Sequence, residues 1–214
     1  MAGPARRAWK NPPVARDRDV DAFDRRASGY ESGRLGGLHR DIADRTIRIA
    51  LAEAPDPRRV LDVGCGTGYL LRQMAARLPG AVDLAGVDAA PGMIEVARSA
   101  EPADPRLRFS EGFAEALPHP AGSFDLVVST TSFDHWADQG AGLSECARVL
   151  TPGGHLVLTD LFSIWLVPTL VAGRRGRART VGRASRLLTA AGLHSLRWHP
   201  TYTLLLKTVS ATTA

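Results

Sequence analysis

The most constraining stretch of this sequence is Val60-Leu-Asp-Val-Gly-Cys-Gly-Thr-Gly-Tyr69. A short apolar run with an acid inside it passes into a turn of alternating glycines, and a helical pattern opens at Tyr69. Glycines are required where a backbone turns sharply and a ligand approaches with no Cβ in the way. The helix behind such a turn offers free N–H groups and the positive end of its dipole. The spacing G-x-G-x-G at Gly64, Gly66 and Gly68 differs from the G-x-G-x-x-G that seats a dinucleotide pyrophosphate. Asp62 points the same way, since a carboxylate repels a pyrophosphate but suits the ammonium of an amino-acid cofactor. A nicotinamide-dependent oxidoreductase is therefore disfavoured.

The rest of the chain repeats the alternation. Strands are expected at 59–63, 81–88, 107–110, 124–129 and 155–161, with helices at 69–78, 91–100 and 139–150. Pro152-Gly-Gly154 is expected to stop the third of these helices, and a fourth covers 184–191. Two last strands, 193–198 and 203–209, lie too close for a crossover and are expected to pair antiparallel, joined through Pro200. Asp19 to Ala54 carries a helical pattern broken by glycines near Ser28–Gly37, which gives two helices ahead of the first strand. The first 18 residues hold three prolines before Ala15 and little periodicity, and are expected to be a flexible arm preceding one domain over 19–214. The fold class expected is α/β: a seven-stranded, mostly parallel sheet with an antiparallel last strand and helices on both faces.

Composition narrows the surroundings. Two cysteines, Cys65 and Cys146, make no disulfide framework, and no clustered spacing suggests a metal. The longest apolar run, Leu161 to Ala172, is interrupted by Ser163, Pro168 and Thr169 and is shorter than the ~20 residues of a membrane span. With no apolar segment among the first residues, a cytoplasmic protein is expected. The formal charge of +5 is compatible with a nucleic-acid partner, but much of it lies in Arg6–Arg18 and Arg174–Arg183 and reads as solvated surface, so a small-molecule acceptor is expected and nucleic acid is the alternative. A monomer or homodimer is expected.

Asp88 ends the second strand, where an acid in a Rossmann-like unit accepts from ribose hydroxyls; capping the next helix is its other reading. Met93, one turn further, either lies on an adenine face or fills the core. Taken in order, Val60 to Tyr69, Gly86-Val-Asp-Ala-Ala-Pro-Gly-Met93, Ala114-Glu-Ala-Leu-Pro118, Ser123-Phe-Asp-Leu-Val-Val-Ser129 and Arg148-Val-Leu-Thr-Pro-Gly-Gly154 resemble the class I S-adenosylmethionine-dependent methyltransferases. The nearest resemblance is to the small-molecule branch that includes ubiquinone- and menaquinone-biosynthesis-type enzymes, over roughly residues 20–211.

The resemblance implies S-adenosylmethionine as cofactor, leaving as S-adenosylhomocysteine. It implies Asp62, Gly64, Cys65 and Gly66 around the methionine moiety and Asp88 at the ribose. Ala89, Met93, Phe113 and Ala114 fall at the adenine, Ser129 beside the methionine moiety, and Tyr30 over the cofactor from the N-terminal helices. Phe113 is a departure, because many relatives carry an aspartate there that accepts from the adenine amino group. Losing one such bond costs about 1 kcal/mol.

Methyl transfer is an in-line displacement in which position and alignment dominate. A base is needed only for an acceptor protonated at working pH, such as an alcohol. Thr131, Ser132, Phe133, Asp134, His135 and Trp136 follow the fourth strand, at the carboxyl edge where open α/β sheets hold ligands. His135 is the candidate base or acceptor-orienting group, with local packing as its other reading; His39 is a second candidate. Phe23, Tyr30, Phe133, Trp136, Phe162 and Trp165 are candidate walls of an apolar acceptor pocket, and 161–182 a candidate lid. A nucleic-acid methyltransferase and a non-catalytic cofactor-binding module are the alternatives. Against the first, Ser129-Thr-Thr-Ser-Phe133 lacks the Pro-Pro-aromatic motif of base N-methylation.

Overall fold

The structure, a computed structural model, describes residues 18–30, 36–100, 103–163, 180–202 and 205–214. Two helices come first, α1 (Arg18–Asp24) and α2 (Gly36–Glu53), separated by a 3-10 turn at Ala27–Gly29. Then follow β1 (Arg59–Val63), α3 (Tyr69–Arg77), β2 (Asp83–Asp88), α4 (Pro91–Ser99), β3 (Leu107–Glu111) and β4 (Phe124–Thr130). After a 3-10 turn at Phe133–His135 come α5 (Gln139–Val149), β5 (Leu150–Leu161), α6 (Val181–Ala190), β6 (His194–Tyr202) and β7 (Leu206–Thr212). The expected arm and most of the expected lid, including Trp165, lie outside the described residues.

The strands form one seven-stranded sheet in the order β3-β2-β1-β4-β5-β7-β6, with β7 antiparallel to both neighbours and the other pairings parallel. The order reverses between β1 and β4, so the crevice for a ligand opens at their carboxyl ends. Side chains alternate across the sheet. Leu61, Val127 and Leu158 pack on one face with Leu143 of α5 and Leu188 of α6. Val60, Leu126 and Val157 pack on the other with Ile47 of α2 and Leu71 of α3. The parity of β1 puts Asp62 on the α2–α3 face, with Val60.

Among the boundaries that differ from expectation, two follow from how the strands pair. Pro152-Gly-Gly154 does not stop the helix: α5 ends at Val149, and β5 starts at Leu150, which pairs with Phe124 ahead of a register shift. Burial of Leu150 against the sheet begins the strand early, and a bulge absorbs the extra residues. Pro200 does not join the last two strands; it sits inside β6, opposite Lys207. β6 is an edge strand, so a residue without an N–H is tolerated there. No helix among the described residues is long and apolar enough to cross a membrane.

Candidate functional site

Two adjoining cavities open at the glycine turn. The first holds about 930 Å³, open solvent at its mouth included, between β2, the 112–115 turn, the end of β4 and the N-terminal helix α1. The second, about 540 Å³ on the same terms, lies between α2 and the start of α3. Tyr30, Gly64, Gly66, Thr130 and Thr131 border both.

The turn is tied to β2. The N–H groups of Gly64 and Cys65 donate to the Val87 carbonyl at 2.7 and 3.1 Å, and Gly66 N–H donates to Asp88 Oδ2 at 2.8 Å. Gly64 has φ of 76°, and a Cβ there would lie 1.9 Å from Ser132 Oγ. Gly66 has φ of 52°, and a Cβ there would meet nothing within 4 Å, because it would stand in the cavity.

Asp62 is 2% exposed and its Oδ1 has no hydrogen-bond partner among the described residues. Burial, and then the charge of Asp88, push its carboxyl up to about 8. A buried carboxylate without a partner is costly unless a cation meets it. Asp88 is raised by burial, while N–H groups from Ala90, Gly66 and Ala89 pull it back. Its Oδ1 accepts from Ala90 N–H at 2.9 Å, so it braces the start of α4 as well as bordering the first cavity. Each carboxylate oxygen has a second lone pair, so bracing leaves room for a ligand hydroxyl.

Aromatic rings cover this floor. Phe23 of α1 meets His135 edge to face at 5.0 Å, and Tyr30 stacks on His39 of α2 at 4.9 Å and 16°. Burial lowers the His39 pKa, and raises that of Tyr30 together with the charge of Asp88. The cover is latched by Asp24, whose Oδ1 accepts from Gly92 N–H at 2.6 Å. Met93, buried with Ala27 and Ala90, borders the first cavity with Ala89, Phe113, Ala114 and Glu115. Trp136 borders it too, and its Nε1–H donates to Ser132 Oγ at 2.9 Å.

Tyr30, Gly64, Gly66, Asp88, Ala89, Met93, Phe113, Ala114, His135 and Trp136 thus border the first cavity, and Asp62, Cys65 and His39 the second. Four expected residues among those described border neither: Asp134, which is buried with its N–H donating to Asp160 Oδ2 at 3.1 Å, and Ser129, Phe133 and Phe162. Ser129 is fully buried, because strand parity turns it away and presents Thr130 instead. Phe133 and Phe162 pack on each other in the core, with Trp136 and Trp198 beside them. Burial of their apolar area wins over a place in the wall. The Cys65 thiol is pushed up by burial, away from nucleophile chemistry. Asp24 and Thr130 are not evident in the sequence: nothing local links Asp24 to Gly92, and Thr130 lies one register step from Ser129.

A family model described as a methyltransferase domain matches residues 60–154. A demethylmenaquinone methyltransferase of Deinococcus radiodurans is 39% identical over 160 residues, which is 72% of this chain and 66% of that protein. The chain belongs to the class I S-adenosylmethionine-dependent methyltransferases. A second methyltransferase relative, a malonyl-acyl-carrier-protein O-methyltransferase of Methylococcus capsulatus, is 33% identical over 72% of this chain and 54% of its own length. The chain therefore spans less than two thirds of these relatives. Among solved structures, a methyltransferase in complex with the Haloferax volcanii Trm112 activator shares the methyltransferase fold, with a TM-score of 0.74 at 24% identity over 90% of this chain and 98% of that one.

Proposed function

We propose that this protein transfers a methyl group from S-adenosylmethionine to a small-molecule acceptor, with residues 19–214 acting as one domain whose N-terminal helices cover the cofactor. The observation that carries the reading is the buried, unpartnered Oδ1 of Asp62 beside a turn that keeps Cβ atoms out of the cavity. A zwitterionic amino acid joined to a nucleoside suits both halves of that arrangement.

When bound, the cofactor supplies an electrophilic methyl on a sulfonium. Asp62 accepts from the ammonium, and Gly64, Cys65 and Gly66 lie against the amino-acid part. Asp88 accepts from the ribose hydroxyls with the lone pairs that Gly66 and Ala90 leave open. Met93, Ala89, Phe113 and Ala114 enclose the adenine through contact rather than through a carboxylate at position 113. Phe23 and Tyr30 exclude water, which strengthens the electrostatics beneath them. His135, at the edge of the first cavity, orients the acceptor and takes its proton on a ring nitrogen when the acceptor is an alcohol. The two relatives act on different acceptors, a demethylmenaquinone and a malonyl-acyl-carrier protein by name, so the apolar wall of Val20, Phe23 and Trp136 is the guide to acceptor class here.

Calorimetry with S-adenosylhomocysteine tests the reading. Wild type binds it, and Asp62→Asn loses a charge-assisted bond of about 1.5–3 kcal/mol, a drop of about 10- to 150-fold. Absence of binding by wild type at millimolar ligand ends the proposal. Formation of S-adenosylhomocysteine with a candidate acceptor then separates an enzyme from a binding module.

A further inference from the structure

Two non-glycine residues among those described have a left-handed backbone, Thr131 with φ of 52° and Ser195 with φ of 53°. Ser195 is exposed and lies within the register shift of β6 between His194 and Arg197, where a bulge accounts for it. Thr131 has no such explanation. It is β-branched, a type that resists this region more than glycine or asparagine, and its N–H still donates to the Thr159 carbonyl at 2.8 Å. Strain of this kind persists where the surroundings hold it in place, often at functional sites.

The surroundings are specific. The bend at Thr131 carries the chain over the glycine turn, setting Ser132 where any Cβ on Gly64 would strike it. Thr131 borders both cavities, and so does its neighbour Thr130, whose Oγ1 is buried with no hydrogen-bond partner among the described residues. The place where the cavities meet is where a nucleoside held in one must join an amino acid held in the other.

We infer that Thr131 is a positioning residue for the cofactor, whose hydroxyl-bearing side chain is held in a strained backbone to shape the junction between the nucleoside and amino-acid subsites. This rests on the cofactor reading above and adds the residue that couples its two halves. A glycine at this position meets the bend without strain but leaves the junction open. Serine keeps the hydroxyl.

The experiment measures thermal stability without ligand and affinity for S-adenosylhomocysteine and for adenosine, which fills the nucleoside subsite alone. For Thr131→Gly the melting temperature stays at or above that of wild type, S-adenosylhomocysteine binding weakens about tenfold, and adenosine binding stays within about twofold. Thr131→Ser keeps S-adenosylhomocysteine affinity within about threefold. The inference is overturned if Thr131→Gly loses less than about threefold, loses adenosine to the same degree, or melts lower than wild type. An equal loss in Thr131→Ser overturns it too. Failure of wild type to bind S-adenosylhomocysteine instead removes the cofactor reading itself, so the two failures are distinct.

Discussion

Asp62 and Asp88 oppose one another beside the glycine turn: the charge of Asp88 raises the proton affinity of Asp62, on top of the larger effect of burial. Asp88 has its own backbone donors, and Asp62 Oδ1 has none. The pair is therefore biased, with one carboxylate satisfied by the fold and the other waiting for a cation.

That bias sets a pH dependence. The unfolded carboxyl titrates near ~3.9, and in the folded protein Asp62 titrates at about 8. Between those values the folded state binds the extra proton, so its contribution to stability is complete below the lower value and is lost as pH rises through the upper one. Ligand-free wild type should lose stability relative to Asp62→Asn as pH rises from about 4 to about 8, and no further above that. Affinity for S-adenosylhomocysteine should rise about tenfold per pH unit below that upper value, and the variant's should stay nearly flat. Calorimetry across pH 6 to 8 (about two units) reads both slopes; equal slopes would remove Asp62 from ammonium binding.

Gly64 and Gly66, the glycines that border both cavities, should fail in different ways. Gly64→Ala combines a left-handed alanine with a Cβ 1.9 Å from Ser132 Oγ, and should cost about 2–5 kcal/mol of stability. Gly66→Ala meets no atom within 4 Å and should lose only about 1–2 kcal/mol. It should nevertheless bind S-adenosylhomocysteine poorly, because its methyl stands in the cavity. Denaturant melts beside binding curves separate the cases.

Asp24 holds the N-terminal cover through Gly92. The cover has only a small apolar cluster beneath it, built on Ala27, Ala90 and Met93. Asp24→Ala should therefore expose the Gly92 amide and the backbone of 18–30 to hydrogen exchange while the sheet stays protected. Cofactor dissociation should quicken in step. Unchanged exchange at Gly92 would show that the latch carries no weight.

Across the sheet, Thr159 Oγ1 lies 2.8 Å from Thr46 Oγ1 and 2.6 Å from Thr208 Oγ1, all fully buried. Thr208 passes the chain to Thr201. Thr159→Val keeps the shape and strands its neighbours, which should cost about 1–3 kcal/mol. Urea unfolding should show a lower midpoint with the same slope.

What could be read in advance was local. The turn from Val60 to Tyr69 carries its own chemistry, and helix and strand periods placed every element that positions it. Errors arose where a neighbour distant in sequence decides. Whether Phe133 and Phe162 wall a pocket or fill the core depends on Trp198 and on each other, which no window of sequence joins. Ser129 and Thr130 differ by one step of strand parity, and one step exchanges a core side chain for a cavity wall. Pro200 suggested a turn because its place on an edge strand cannot be seen before the strand order is known.

By itself, the sequence determined the glycine turn, the two acids beside it and the alternation that makes a parallel sheet, since each follows from the dihedral and side-chain demands of adjoining residues. The tertiary structure alone decided that Asp62 Oδ1 has no hydrogen-bond partner among the described residues, that Asp24 reaches Gly92, and that Thr131 is bent over the turn. Those outcomes arise from burial and contact between segments far apart in the chain, and the electrostatics of the site come from them.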